Sequence, residues 1–407
     1  MLTWDTRVTR TIDGLSKPGV GCRRSLPARL AQASPNGEEV VDASEIVTLL
    51  VVAAGASALA TPLVQRLATA LGVVDVPNPR KVNLRLNIPL LGGVAVSIGC
   101  ATGLVAAWGM GMTSAEDNRR LVGFFLGGVL LLLLGILDDR FGLDARVKLF
   151  FQIIAASIGF AYGFRLDFLT EPFSRTTFEL PLPLTVVATV LWILAVTNAM
   201  NLMDGLDGLA TGLGAIIAMT LSVICWESGQ YLGVLLGVTL VGAQLGFLPF
   251  NFPPGRIFLG DNGAYFIGYA IALVGLEGYR KTALLTFIVP LMALAVPFLD
   301  TLLSVLRRFR GHQRIMGADS MHMHHHLLKV AGGSQREAVL SLYFLTACFC
   351  IIAVAFRSVS GYWAIALLVV VILLTIRLLR NLGLLHPQDT AKPPAPPPSE
   401  STQGEGP

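Results

Sequence analysis

The stretch LVGFFLGGVLLLLLGILDDR, residues 121–140, decides the fold of this chain. Residues 121–137 carry no charged side chain, and the run ends on two adjacent carboxylates, Asp138 and Asp139. An apolar helix of about 20 residues is long enough to cross a hydrocarbon core of roughly 30 Å. The stretch therefore predicts a membrane-spanning helix that carries two acidic side chains at its end.

Comparable apolar runs recur along the 407 residues, of which 54% are hydrophobic and only 14% are charged. Soluble domains contain about 25% charged residues, and the mean hydropathy of +0.67 points the same way. We therefore predict an all-α, polytopic integral membrane protein with about eleven transmembrane helices. The predicted spans are residues 45–65, 88–110, 121–137, 149–165, 182–198, 208–226, 230–248, 258–276, 283–305, 337–356 and 361–380.

The two ends of the chain differ from this pattern. Residues 1–43 are polar without a hydrophobic period, and residues 385–407 are rich in proline, so we predict two disordered segments. Residues 44–384 form the predicted transmembrane domain. The net charge of +4 is small and lies in short loops, which argues against a nucleic-acid partner. The five cysteines have no paired spacing and predict neither disulfides nor a metal site.

The basic residues of the connectors predict the orientation. With eleven spans, the connectors after odd-numbered spans hold 17 Lys and Arg side chains, and the opposite connectors hold seven. Basic connectors tend to stay in the cytoplasm, so the first face is predicted to be cytoplasmic. Nearly all acidic and histidine-rich sequences lie in five connectors on that face, which predicts a catalytic surface there.

The Asp138–Asp139 pair is the first candidate site. Adjacent carboxylates can simply mark where a helix leaves the membrane. However, a charge within a span costs about 2.5–3.5 kcal/mol on insertion scales, and such residues are often functional. Like charges side by side also favour protonation of one of them, which suits a general base or a metal-linked acid.

The string NAMNLMDGLDGLATG, residues 198–212, is the second candidate. Asn198 and Asn201 are three residues apart and share a face if this segment is helical. The Gly-Asp alternation that follows predicts a turn, in which Asp204 and Asp207 can face one ligand together with free backbone N–H groups. A plain polar turn would not require two amides at the end of an apolar helix.

The string FLGDNG, residues 258–263, leads straight into the eighth predicted span. Gly-Asp-Asn-Gly is also typical of a tight turn. Asp261, however, stands at a predicted helix start after an apolar approach, where its oxygens could hold a hard cation such as Mg²⁺.

Two basic connectors are the remaining candidates. The first holds Arg80 and Lys81, which predict either a loop near anionic lipid or one that steers a phosphate substrate. The second holds Arg314 and four of the six histidines of the chain. Histidine with carboxylate can bind Zn²⁺, but the nearby arginines favour contacts with phosphate oxygens. The histidines are His322, His324, His325 and His326.

These strings, in this order, resemble those of the polyprenyl-phosphate N-acetylhexosamine-1-phosphate transferases. The resemblance runs from about residue 45 to 335, and the final connector is more similar to the branch that transfers GlcNAc-1-phosphate or a related sugar phosphate. It rests on Gly92-Gly93, Asp138-Asp139, NxxNxxDGxDGLATG from Asn198, FLGDNG from Phe258 and DxxHxHH from Asp319. Asn83, Ala264 and His326 depart from the usual pattern, which leaves room for an unusual sugar or a lower activity.

The resemblance implies that a polyprenyl phosphate attacks a UDP-sugar at a cytoplasm-facing groove of a bacterial inner membrane, and that UMP leaves. Mg²⁺, or Mn²⁺ in its place, is the implied cofactor, and membrane lipid surrounds the protein; a homodimer is left open. The implied roles are metal binding by Asp261 and Asn201, catalysis by Asp138, Asp139, Asp204, Asp207 and Lys148, and substrate binding by Asn198, Arg80, Lys81, Arg314, His322, His324 and His325.

Two alternatives accompany this interpretation. The first is the branch that transfers phospho-MurNAc-pentapeptide, whose final connector has a different ending. The second is an ion or metal transporter, because intramembrane acids also mark ion paths. Transport would place polar residues near the bilayer midplane on several helices, whereas here they lie at span ends on one predicted face.

Overall fold

The computed structural model describes residues 42–75, 87–170, 177–278, 290–310, 327–328, 331–358 and 362–381. Both predicted disordered segments lie almost wholly outside these residues. The same holds for six predicted site residues: Arg80, Lys81, Arg314, His322, His324 and His325.

Eleven helices of 16 or more residues occur in the described part of the chain. They are α1 (Ala43–Ala70), α2 (Gly92–Gly109), α3 (Ala115–Phe141), α4 (Ala145–Ala161), α5 (Leu182–Leu202), α6 (Leu209–Glu227), α7 (Tyr231–Asn251), α8 (Gly260–Gly278), α9 (Ala295–Arg310), α10 (Gln335–Ser358) and α11 (Tyr362–Asn381).

Seven of these helices are long and apolar enough to cross a membrane by length and composition: α1, α2, α3, α5, α6, α7 and α10. The prediction of a mostly helical, multi-pass membrane protein is therefore confirmed, while the number of eleven spans stays a prediction. The helix α4 has only 17 residues, and α8 begins with the polar residues Asp261 and Asn262, which lowers its hydropathy.

Within the described residues, two short pairs of antiparallel strands lie between helices, and the all-α prediction missed them. The strand β1 (Val74–Asp75) pairs antiparallel with β2 (Ile88–Pro89), and β3 (Phe168–Thr170) pairs antiparallel with β4 (Thr177–Glu179). Strands of two or three residues are too short to show the alternation of polar and apolar residues that predicts a strand.

Burial separates central helices from peripheral ones. The most apolar window is 83% buried in α7 and 78% buried in α6, but only 28% buried in α1. The helix α7 packs against α1, α2 and α6, and α8 packs against α3, α5 and α6. Large apolar side chains of α1 such as Leu59 and Leu63 face outward, which in a membrane protein is the surface offered to lipid.

Glycines bring α3 and α8 into close contact. A Cβ atom on Gly135 would lie 2.2 Å from the backbone N and Cα of Asn262, so no side chain fits between the two backbones there. Nearer the other end, the phenol of Tyr269 occupies the space beside Gly127 and donates a hydrogen bond to the carbonyl of Gly123. The helices run antiparallel, so the end of α3 meets the beginning of α8.

Candidate active site

The acidic end of α3 meets the first turn of α8 beside the turn that follows α5. We call the group that converges there the acid cluster; it consists of Asp138, Asp139, Asn201, Asp204 and Asp261. The turn at residues 203–208 and the helix start at Gly260 were both predicted from glycine and aspartate patterns, and both are confirmed. Three separate sequence strings therefore supply one site.

Asp138 is 5% exposed and is surrounded by donors. The backbone N–H of Leu143 donates to its Oδ1 at 2.9 Å, and the hydroxyl of Tyr265 donates to its Oδ2 at 3.2 Å. The Nζ of Lys148 lies 2.6 Å from the same Oδ2. Lys148 therefore pairs with Asp138, one of the two adjacent aspartates, and Tyr265 is an additional contact.

Asp139 points to the beginning of α8. Its Oδ1 accepts the backbone N–H of Asp261 at 2.9 Å, and its Oδ2 accepts the backbone N–H of Asn262 at 3.3 Å. The side-chain amide of Asn262 also donates to Oδ2, at 2.7 Å. Both oxygens of Asp139 are therefore occupied by α8.

Asp261 and Asn201 are in direct contact, although 60 residues separate them in sequence. The Nδ2 of Asn201 donates to Oδ1 of Asp261 at 2.7 Å. The carboxyl groups of Asp138 and Asp261 also lie within hydrogen-bonding distance of each other. Two carboxylates in contact repel unless a proton or a cation lies between them, so the arrangement calls for one or the other.

The turn between α5 and α6 carries two acids with different surroundings. Asp204 lies near Asp261 and Asp139, and desolvation, followed by the charges of these two carboxylates, raises the pKa of Asp204 well above its usual range. Asp207 is buried and its Oδ2 accepts the backbone N–H of Gly255 at 2.9 Å. Asp207 therefore holds the connector before α8, whereas Asp204 belongs to the acid cluster.

Asn198 contacts a different helix from Asn201. Its amide exchanges two hydrogen bonds with the amide of Gln152 in α4, at 2.9 Å and 3.3 Å, and donates to the carbonyl of Leu194 at 2.8 Å. The two asparagines lie on the same side of α5 as predicted, but only Asn201 touches the acid cluster.

The Gly92-Gly93 pair meets the FLGDNG string through the backbone. The N–H groups of Gly92 and Gly93 donate to the carbonyls of Phe258 and Leu259 at 3.0 Å and 2.9 Å. A Cβ atom on Gly93 would lie 2.2 Å from the backbone of Gly263, so these glycines allow the start of α2 to reach the start of α8. Their N–H groups are consumed in the fold.

Sequence reasoning missed three residues that shape the acid cluster: Gly135, Asn262 and Tyr265. Asn262 was visible in the GDNG string but was interpreted as part of a turn. Tyr265 lies one helical turn after Asp261, and an isolated tyrosine in an apolar helix gives no signal of its own. Gly135 lies three residues before Asp138, and a glycine within an apolar run gives no chemical signal.

No group of three or more His, Cys, Asp or Glu side chains within the described residues is already arranged to hold a metal ion. The acid cluster still offers a suitable donor set, because Mg²⁺ usually keeps several waters and binds through one or two carboxylates plus substrate phosphates. Asp261 and the amide oxygen of Asn201 are hard oxygen donors, and the carboxyl contact with Asp138 leaves negative charge to be neutralised.

Fold and site together define a multi-pass membrane protein with an acid cluster at the meeting point of three helix ends. Residues 121–279, which include the acid cluster, match the family model described as glycosyl transferase family 4. The chain is 36% identical to the probable undecaprenyl-phosphate N-acetylglucosaminyl 1-phosphate transferase of Bacillus subtilis, over 81% of this chain and 88% of the relative. The chain belongs to glycosyl transferase family 4.

Two further relatives share much of the same region. The decaprenyl-phosphate N-acetylglucosaminephosphotransferase of Mycolicibacterium smegmatis is 35% identical, over 70% of this chain and 75% of the relative. The undecaprenyl-phosphate alpha-N-acetylglucosaminyl 1-phosphate transferase of Escherichia coli is 28% identical, over 67% of this chain and 74% of the relative.

Proposed function

We propose that this protein transfers N-acetylglucosamine 1-phosphate from UDP-GlcNAc to a polyprenyl phosphate and releases UMP, as the first membrane step of a cell-envelope polysaccharide. The observation that carries the proposal is the acid cluster itself, which brings three of the family's strings together at the ends of helices. The reported relatives are named for the same transfer, which favours GlcNAc over the phospho-MurNAc-pentapeptide branch. No observation favours the transporter alternative.

The reaction exchanges one phosphoanhydride bond for another. An oxygen of the lipid phosphate attacks the β-phosphorus of the UDP-sugar, a new P–O bond forms, and the bond from the β-phosphorus to the bridging oxygen breaks. The electron pair of that bond leaves with UMP, and a polyprenyl diphospho-sugar remains. Such transfers require positioning and charge neutralisation more than covalent chemistry.

Mg²⁺, or Mn²⁺ in its place, would be held by Asp261 and Asn201, with waters and the substrate diphosphate completing the oxygen donors. When bound, the cation would neutralise negative charge on the diphosphate and on the leaving UMP.

The remaining members of the site act through their own charges. Lys148, which is partly exposed beside Asp138, can attract the lipid phosphate from the membrane boundary. Asp138 is held in its charged form by donors from Leu143, Tyr265 and Lys148, which suits a group that orients the lipid phosphate. A covalent aspartyl intermediate would require this carboxylate to give up those donors, so direct attack by the lipid phosphate is preferred.

The membrane orientation completes the proposal. We infer a cytoplasmic acid cluster in a bacterial inner membrane, where UDP-sugars are available; the excess of basic residues in the connectors on one side supports this orientation. The eleven-span topology, the phosphate-binding roles of Arg80, Lys81, Arg314, His322, His324 and His325, and a homodimer belong to the proposal as well.

The testing experiment uses the purified full chain with polyprenyl phosphate, Mg²⁺ and a panel of UDP-sugars, and it follows UMP release. Release with UDP-GlcNAc that stops on chelation and returns with added Mg²⁺ supports the proposal. Release only with UDP-MurNAc-pentapeptide would move the protein to the other branch. If none of the UDP-sugars gave UMP, although the protein retained its helical content, the proposed transfer would be contradicted.

A further inference from the structure

Asp139 differs from its neighbour Asp138 in what it touches. Asp138 faces Lys148 and Tyr265, whereas both oxygens of Asp139 accept hydrogen bonds from the first turn of α8. We propose that Asp139 is a positioning residue: it caps α8 from the neighbouring helix and thereby aims Asp261 at the cation and diphosphate. The expected effect on turnover rests on the proposed function, whereas the positioning role itself rests on the hydrogen bonds of Asp139.

The beginning of α8 needs a cap from elsewhere. Helices start best after Ser, Thr, Asp or Asn, whose side chains accept the free N–H groups of the first turn. The residue before Gly260 is Leu259, which has no acceptor to offer. The carboxylate of Asp139 takes these N–H groups instead, and its negative charge also interacts favourably with the positive end of the helix dipole.

The position of Asp139 follows from Gly135, four residues earlier on the same face of α3. Because Gly135 has no side chain, the α3 backbone reaches the backbone of Asn262, and the short side chain of Asp139 then lies level with the first turn of α8. A Cβ atom on Gly260 would lie 2.7 Å from Oδ2 of Asp139, so the carboxylate fills its space. Close packing on both sides fixes its orientation.

A positioning role makes a specific prediction for Asp139→Asn. The amide keeps an acceptor for the N–H of Asp261 but places an NH₂ group against the amide of Asn262, so the turn that presents Asp261 is disturbed. We expect the dissociation constant for Mn²⁺ alone, measured by electron paramagnetic resonance without substrate, to rise about 10-fold. We expect kcat to fall about 10- to 100-fold, with little change in KM for the UDP-sugar and partial recovery at high Mg²⁺.

Gly135→Ala supplies a second, independent variant, because it leaves the carboxylate intact and only separates α3 from α8. It should weaken Mn²⁺ binding in the same direction. The matched controls are Gly55→Ala in α1, where no atom lies within 4 Å of the added Cβ, and Asp144→Asn, which alters an aspartate cap at the start of α4. Both controls should leave Mn²⁺ affinity within about 2-fold of the unsubstituted protein.

The outcomes separate the inference from the proposed function. If Asp139→Asn loses activity with unchanged Mn²⁺ affinity and unchanged Tm, Asp139 acts on the substrate directly and the positioning role is overturned. A lower Tm with normal kcat and normal Mn²⁺ affinity, or no Mn²⁺ binding by the unsubstituted protein, would overturn it too. If the unsubstituted protein binds Mn²⁺ but transfers no sugar phosphate, while both variants bind Mn²⁺ more weakly, the proposed function fails and the positioning role stands.

Discussion

The two ends of the α3–α8 helix pair differ in how their charged side chains are paired. At one end, Asp138, Asp139 and Asp261 lie together, and among the described residues Lys148 forms an ion pair with Asp138. At the other end, the guanidinium of Arg120 contacts Glu116 of its own helix and Glu277 of α8, at 3.5 Å for the second pair.

The difference separates function from structure. Arg120 and Glu277 are 6% and 1% exposed, and each partly offsets the cost of burying the other, so the charge of the guanidinium is countered by side chains of the protein itself. The acid cluster has more negative than positive charge and needs a proton or a cation to be stable. We therefore expect a cationic ligand to bind at the acid cluster, where the negative charge exceeds the positive charge.

The largest expected effect comes from Asp261→Asn at the unbalanced end. The substitution removes the charge of the best candidate ligand while it keeps a side chain of the same shape. UMP release should fall by on the order of 1,000-fold or more, while the helical content and Tm of the metal-free protein stay the same or rise, because one of the clashing carboxylates is gone. Near-normal turnover at saturating Mg²⁺ would contradict the assignment of Asp261 as a metal ligand.

The same change of charge at the balanced end, Glu277→Gln, should have the opposite outcome. It leaves Arg120 without its buried partner across the interface, and breaking a buried pair costs about 3 kcal/mol. We expect a lower Tm in detergent and a kcat close to that of the unsubstituted protein. If Glu277→Gln abolished turnover at a temperature where it remains folded, the distinction between the two ends would fail.

Lys148→Gln tests whether the lysine serves the substrate or only the stability of Asp138. Its side chain is 28% exposed, so the pair with Asp138 is partly screened by solvent. We expect kcat/KM for polyprenyl phosphate to fall about 10- to 100-fold, with a small change in Tm. Lys148→Arg, which keeps the charge, is the matched control and should retain more activity; equal losses in both variants would argue for a geometric role.

Part of this architecture could be predicted from the sequence. Apolar runs and the glycine and aspartate patterns predicted the multi-pass helical fold, the turn after α5 and the start of α8, because these depend on local composition. The contact of Asn201 with Asp261 depends on how distant helices pack, and only the family resemblance brought them together in advance. The tertiary cap on α8 could not be predicted, because it depends on the approach of two helices at Gly135, a residue with no chemical signal.

Asp138 and Asp139 are a second case in which the sequence pattern could not predict the contacts. Composition identified Asp138 and Asp139 as one candidate site, since neighbouring residues are equivalent in a sequence pattern. In a helix, adjacent residues point about 100° apart, so Asp138 faces Lys148 and Tyr265, whereas Asp139 faces the first turn of α8. The interpretation of the pair as a shared base or metal-linked acid therefore divides into two contacts with different partners.

The smallest expected effect is a change in thermal stability on substitution of Asp204. It tests whether the excess negative charge of the acid cluster destabilises the metal-free protein. The pKa of Asp204 is raised in the folded protein, so the folded state holds a proton that the unfolded state releases above about pH 4. The stability of the metal-free protein should therefore fall as the pH rises above that value. Asp204→Asn removes this cost and keeps a side chain of nearly the same shape, so its Tm should exceed that of the unsubstituted protein by about 1–3 °C at pH 7 and by nothing at pH 4. Thermal unfolding at the two pH values in metal-free detergent provides the measurement. If the Tm gain were the same at both pH values, the charge of the Asp204 carboxylate would not be the cause of the lower stability.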